Sequence, residues 1–317
     1  MKSQRFVVVL MGLVLSAPAS AARAEITLDS VAVGNARNAA DSTGYGAVDH
    51  TYAIGKYEVT AGQYTVFLNA VARTDTYYLY DESMSDTYGC QIVRNGNSGN
   101  YTYNVSATNA NRPVNYVDWG DAARFVNWLH NHQPNGAQGA GTTETGAYAL
   151  NGATSSSALN AVTRDAGAKF WIPTEDEWYK AAYHQNDSVT GNYWNYPTST
   201  DSIDTSMANY GNSVGQTTSV GTYPFSSSYG TFDQGGNVWE WNETVVDQSY
   251  GQLFRGARGG SAFHGEVALQ ASFRDSFDPT NGMASGGFRV ASVPEPSSVA
   301  LMVCGVMTGL FWWSRRK

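Results

Sequence analysis

Residues Thr231 to Glu243 read TFDQGGNVWEWNE. Gly235 and Gly236 stand between Asp233 and the tryptophans Trp239 and Trp241, and Glu240 separates the two indoles. Paired glycines permit a backbone bend that side chains forbid. A bend between two carboxylates can aim main-chain carbonyls inward, and calcium takes about six to eight oxygens of this kind. The residues alone leave two readings open: a cation-binding loop, or an acidic loop packed by tryptophans.

The ends of the chain carry addresses. Lys2 and Arg5 precede an apolar run from Phe6 to Leu15, and small residues then offer A-x-A sites at Ala19 to Ala21 and Ala22 to Ala24. That order is a secretory signal peptide over residues 1–24, and its apolar run is too short for a membrane span. Residues 293–317 contain Pro-Glu-Pro at 294–296, an uncharged run over 297–314, and Arg315, Arg316 and Lys317 at the end. The uncharged run is near the lower limit for a transmembrane segment, with the basic end cytoplasmic. A permanent anchor is one reading. The order of parts also resembles the PEP-CTERM sorting signal of Gram-negative bacteria, where an exosortase cuts near the Pro-Glu-Pro. That resemblance implies a transient inner-membrane anchor and then release to the cell surface or extracellular matrix, with signal peptidase and exosortase as processing partners.

Residues 25–296 hold thirteen Lys and Arg against twenty-seven Asp and Glu, a net charge of −14. No basic stripe offsets phosphate repulsion, so nucleic acid is excluded as a partner. An acidic surface suits divalent cations, and equally suits plain solubility. With Cys304 in the tail, Cys90 is alone and the domain holds no internal disulfide. Seven tryptophans remain, which predicts one dense aromatic core.

Helices are legible from their starts. Thr60 and Gln63 form a capping box before Tyr64, Phe67, Leu68 and Val71, which recur on one helical face. Asp118 opens a second helix with Ala122, Phe125, Val126 and Leu129 inward, and Thr174 with Glu177 caps a third carrying Trp178, Ala181 and Ala182. Arg73 to Arg112 reads as loop with short strands, and Gly136 to Asn160 as a surface insert holding at most a hairpin. Short strands dominate the remainder. The fold class is α+β, irregular and loop-rich, in a single domain over residues 25–292.

The blocks KYEVTAGQYTVFLNAV (56–71), RPVNYVDWGDAARFVNWL (112–129), FWIPTEDEWYKAAY (170–183) and GTFDQGGNVWEWNE (230–243) come in order, followed by RGARGGSAFHG (255–265) and GGFRVAS (286–292). Together they resemble the formylglycine-generating enzyme, or sulfatase-modifying factor, domain over residues 52–292. The resemblance implies a fold related to C-type lectins and bound calcium. It places one calcium site at the Asp233 and Glu240 side chains with the Gly236 and Val238 carbonyls. A weaker second site falls on Asn209 and the Tyr210 carbonyl, its partner aspartate having no clear equivalent.

The same resemblance implies an oxidase whose copper(I) is held by a C-x4-C pair after a GGS. Here RGGSAFHGEVAL puts His264 and Leu269 at those two positions, and Ala268 at a further active-site aromatic. Soft thiolates select copper(I), and leucine offers no ligand atom, so no copper is expected. The His-rich helical domain by which related sulfoxide synthases bind iron has no counterpart. Ser261 and Trp239 remain as cleft candidates beside His264, but serine without a paired base is not an activated nucleophile. His264 is either a metal ligand or base, or a hydrogen-bonded wall residue, and the wall is favoured. His130 and His132 point apart on a helix, and His184 follows one, so structural roles are expected. Arg274 and Arg289 are expected to pair with buried carboxylates.

Three functions follow as expectations. The first is an exported, calcium-stabilised binding module without catalysis, with exopolysaccharide or another glycan as ligand. The second is an exported oxidoreductase-type enzyme of the same family with altered chemistry at His264 and Ser261. The third is a structural matrix protein without a specific ligand.

Overall fold

Reciprocal caps fix where the main helices begin. In helix α1 (Ala61–Val71), Thr60 Oγ1 accepts from Gln63 N at 3.2 Å while Gln63 Oε1 accepts from Thr60 N at 2.9 Å. Helix α2 (Trp119–His130) has the same arrangement from Asp118 and Asp121, and helix α4 (Glu175–Tyr183) from Thr174 and Glu177. Each box satisfies two amide donors that would otherwise lack partners in the first turn. The computed structural model describes residues 25–247 and 251–294. The expected signal peptide, and all of the expected C-terminal signal beyond Pro294, including the 297–314 run, lie outside the described residues. No described helix is long and apolar enough to cross a membrane.

Strands β1 (Ser30–Val33), β2 (Tyr52–Gly55), β5 (Phe170–Trp171) and β10 (Ala291–Ser292) form one antiparallel sheet in the order β1-β2-β10-β5. Ala291 pairs with Ile54 on one side and Trp171 on the other, so the C-terminal block closes the sheet that the N-terminal block opens. A second sheet has the order β8-β7-β6-β9, from β6 (Trp239–Asp247), β7 (Leu253–Arg258), β8 (Asp275–Phe277) and β9 (Gly286–Gly287). Strands β3 (Val93–Asn95) and β4 (Thr102–Asn104) make a hairpin within the segment read as loop with short strands. The architecture is α+β, irregular and loop-rich, as the sequence predicts.

The predicted helical faces meet in the core. Phe67 of α1 lies edge-on to Phe125 of α2, with ring centroids 5.3 Å apart, and Phe288 packs on Phe125 at 5.4 Å. The tryptophans, however, do not share one core. Trp119, Trp128, Trp171 and Trp241 join the main cluster, whereas Trp239 and Trp178 centre two smaller ones. The short strands and long loops divide the interior into compartments.

The insert over residues 136–160 corrects the surface reading. It holds a short helix, α3 (Ser156–Asn160), and its first half is pinned to α2 by polar side chains. The Arg124 Nε donates to Glu144 Oε1 at 2.7 Å, with both groups buried. Asn127 donates to the Thr143 and Tyr148 carbonyls and accepts from Tyr148 N, and Asn131 donates to the Thr142 and Thr145 carbonyls. Amides from a helix thus replace the ladder that an irregular segment lacks. Glu144→Ala would leave the Arg124 guanidinium buried and unpaired, and is expected to cost about 3–5 kcal/mol in urea unfolding. Adding Arg124→Met should recover most of that loss; an unshifted midpoint in the single variant would disprove the role of the pair.

Candidate functional site

The bend at 231–238 uses more left-handed residues than its glycines. Gly236 has φ of 85°, and Asp233 and Asn237 adopt 59° and 55°. A Cβ on Gly236 would run into the Asn209 carbonyl, and Asn237 N donates to that same carbonyl at 2.9 Å. The two calcium sites expected from the sequence therefore lie against one another. Asn237 joins them further, since its Oδ1 accepts from Asn209 Nδ2 at 3.2 Å.

Each expected calcium ligand has a definite setting. Glu240 is fully buried and its carboxylate is heavily used: Oε2 accepts from Trp178 Nε1 at 2.7 Å and Arg289 Nε at 2.5 Å, and Oε1 from Arg289 Nη2 at 2.6 Å. A carboxylate offers about four acceptor positions, so one remains, on Oε1. Asp233 is half-buried; its Oδ2 accepts from Gly221 N at 2.6 Å, and burial pushes its carboxyl up to about 6. Asn209 is buried with its Oδ1 lacking a hydrogen-bond partner among the described residues. Among those residues no group of three or more His, Cys, Asp or Glu side chains is placed to hold a metal ion. A cation here would need main-chain carbonyls and the Asn209 amide oxygen as well as carboxylates, a donor set that calcium accepts and softer metals do not favour. The orphaned Asn209 oxygen and the bent 236–238 backbone fit that set.

The three cleft candidates come together. His264 Nδ1 lies 2.7 Å from Ser261 Oγ, and His264 Nε2 lies 3.5 Å from Trp239 Nε1. An indole nitrogen only donates, so Nε2 must accept and the proton sits on Nδ1, pointing at Ser261. Ser261 Oγ accepts from Phe263 N at 3.3 Å as well. Both its acceptor positions are then occupied by donors, and the imidazole takes no proton from it. Burial holds the His264 pKa below the ordinary histidine value, opposed by the charge of Asp275. Ser261 is fully buried, and Trp239 is nearly so, packed by Phe273 and Phe277 with centroids 6.1 and 6.0 Å away. Trp239, His264 and Ser261 thus form one hydrogen-bonded array.

Leu269, at the second thiolate position, is buried beside Trp239, Tyr196 and Tyr210, and Cys90 lies in the main core cluster instead. His130 accepts from Lys169 N at 3.2 Å, and His184 is buried, bonded to the Thr190 carbonyl, Asn186 N and Tyr229. Arg274 reaches Glu175 Oε2 at 2.8 Å and Arg289 pairs with Glu240, as predicted. Glu58, which lies near the Asp233 charge, and Asn237, which donates to Glu58, were not singled out by sequence. An acid placed between the strand β2 and the capping box of α1 is the signal that could have found Glu58, because glutamate is rarely fully buried without a partner.

The tautomer has a spectroscopic consequence. With its folded pKa lowered, His264 disfavours folding once protonated: it costs no stability above the unfolded value near 6.5, and its penalty grows as pH falls below that. A proton NMR titration should give a His264 midpoint below 6.5 that rises in Trp239→Phe. A midpoint above 6.5 in the wild type would contradict this hydrogen-bond assignment.

Comparison with known proteins agrees with this architecture. The family model for the sulfatase-modifying factor enzyme 1-like domain matches residues 12–293. The chain is 33% identical over 142 residues to a hercynine oxygenase of Mycobacterium tuberculosis, covering 40% of this chain and 32% of the relative. It is 30% identical over 146 residues to the hercynine oxygenase of Mycolicibacterium smegmatis, covering 40% and 33%. The chain thus spans about a third of the length of these curated relatives. Among solved structures, CarF superposes with a TM-score of 0.54 at 20% identity over 85% of this chain and 99% of its own. Treponema denticola variable protein 1 gives 0.56 at 20% identity, over 86% and 98%. These two likenesses concern the fold. Matched over most of its length, the chain belongs to the sulfatase-modifying factor enzyme 1-like domain family.

Proposed function

We propose that this domain is a calcium-stabilised binding module without oxidase chemistry, exported and sorted to the cell surface or matrix, where it contacts a glycan such as exopolysaccharide. One observation carries the reading. At the place of the thiolate pair, the chain has a closed hydrogen-bond chain, Trp239 to His264 to Ser261, and a buried leucine. Each polar atom named there is engaged inside the wall, and leucine carbon cannot ligate a soft metal. Aromatic surface lies next to it. Tyr88 is 58% exposed and stands edge-on to Phe263 at 6.1 Å, an amphipathic ring suited to stacking on sugar faces. The acidic domain and the two expected terminal signals support export and a calcium-rich setting.

A second reading keeps catalysis. Two relatives in sequence bear the name hercynine oxygenase, and a half-buried histidine beside a serine is a common catalytic pairing. This reading requires a metal or a proton route that the Ser261–His264 polarity does not supply. Stoichiometric iron, copper or zinc in the purified protein would favour it, whereas calcium alone would not.

The test uses the exported protein against a panel of polysaccharides, including that of its own host, with and without calcium. Binding that weakens in Tyr88→Ala supports the module; binding to no polymer in either condition overturns it. Conversion of a sulfatase peptide thiol to an aldehyde would overturn the non-catalytic assignment. Chelation is expected to lower the melting temperature by several degrees, about 1–2 kcal/mol for a domain of this size, and Asp233→Ala to erase the difference. Identical melting in calcium and EDTA would refute the stabilising cation.

A further inference from the structure

Glu58 stands between β2 and the cap of α1, and only 2% of it is exposed. Its Oε1 accepts a long hydrogen bond from Asn237 Nδ2 at 3.3 Å. Its Oε2 is buried with no hydrogen-bond partner among the described residues. A buried carboxylate oxygen in that state carries its full desolvation cost. Such a group persists where something compensates it.

The surrounding charges do not. Burial first, then the nearby Asp233 and Glu240, push the Glu58 carboxyl well above the usual carboxylate range. Three acids share the region with one guanidinium, Arg289, and that group is committed in two-pronged fashion to Glu240. If all three ionise, two negative charges stay uncompensated, the charge of one divalent cation. Asn237, which donates to Glu58, also accepts from Asn209, whose Oδ1 is the other unpartnered buried oxygen of this network. Glu58 further lines a cleft of about 540 Å³ with Tyr57, Asn111 and Val220, and the next residue, Gly221, binds Asp233. The cleft therefore reaches Glu58, and the chain that lines it continues directly to the Asp233 partner.

We propose that Glu58 and Asp233 together supply the carboxylates of a divalent cation site, and that Glu240 serves mainly to anchor Arg289. The proposal rests on the calcium reading above and adds a ligand that the family resemblance did not assign. Hard carboxylate, amide and main-chain oxygens select calcium over the softer transition metals. Removing one carboxylate from a site this short of donors lowers affinity steeply, because calcium affinity follows the number of ligand charges.

The experiment compares the exported wild-type protein with Glu58→Gln, which keeps size and removes charge. Calcium binding is read by calorimetry and by tryptophan-sensitised terbium luminescence, and melting is followed in calcium and in EDTA. Glu58→Gln is expected to weaken calcium and terbium binding by about tenfold or more and to lose most of the melting gain from calcium. In EDTA it should melt no lower than wild type, since it replaces an uncompensated buried carboxylate. Wild-type affinity in Glu58→Gln overturns this proposal while leaving the calcium reading intact; absence of calcium binding by the wild type overturns both. Should Glu58→Gln fail to fold, Glu58→Asp, which retains charge but withdraws the oxygens, gives the reading instead, and unchanged affinity there overturns the assignment.

Discussion

The pair between Arg289 and Glu240 is the constraint around which this fold is arranged. A guanidinium carries five donors in a plane, and a buried one is tolerable only if nearly all are used. Arg289 gives two to Glu240 and others to the carbonyls of Gly55 and Phe232. Glu240 in turn accepts from Trp178. One ion pair thereby joins β2, α4, the glycine bend, β6 and the C-terminal block. Removing either member would strand the other charge in the interior, so the pair fixes which segments must be neighbours more than it adds net stability.

The same device recurs wherever regular structure runs out. Arg258 pairs with Glu175 at 2.6 Å and also donates to the carbonyls of Ala271 and Phe273. Arg255 collects the carbonyls of Leu159 and Val162 while its guanidinium lies 3.8 Å from the Trp119 ring centroid. Arg124 takes Glu144 and the Ala153 carbonyl. Irregular segments present main-chain acceptors with no ladder to satisfy them, and a forked cation can satisfy several at once. Buried arginines do for these loops what neighbouring strands do in a sheet.

That economy explains what could be read from the sequence. Helix starts were legible at Thr60, Asp118 and Thr174 because a capping box is local, spanning three residues. The meeting of Ser261, His264 and Trp239, and the pairing of Arg289, were legible only because whole blocks fell in a familiar order. The insert at 136–160 misled because its Gly, Thr and Ser content reads as exposed, whereas its anchoring depends on Arg124, Asn127 and Asn131 of α2, outside the segment. Glu58 was missed for the same reason. Its neighbours Asp233 and Asn237 are more than 170 positions away, and no local period records them.

The site's chemistry and its scaffold are separable in this chain. The ion pairs that define the topology involve Glu175, Glu240, Arg258 and Arg289, none of which is a thiolate position. At those positions the demands are about volume and hydrogen bonding. Leu269 fills the space beside Gly235 and Gly260, where an added Cβ at either glycine would crowd its side chain. His264 satisfies the Trp239 N–H and the Ser261 hydroxyl that a smaller residue would leave without it. A pair of thiolates and this pair of imidazole and aliphatic carbon could therefore occupy the same positions without disturbing the contacts that hold the sheets and helices together. Retention of the family fold is in that light weak grounds for retention of its reaction, and the polarity of three hydrogen-bonded side chains is the stronger guide.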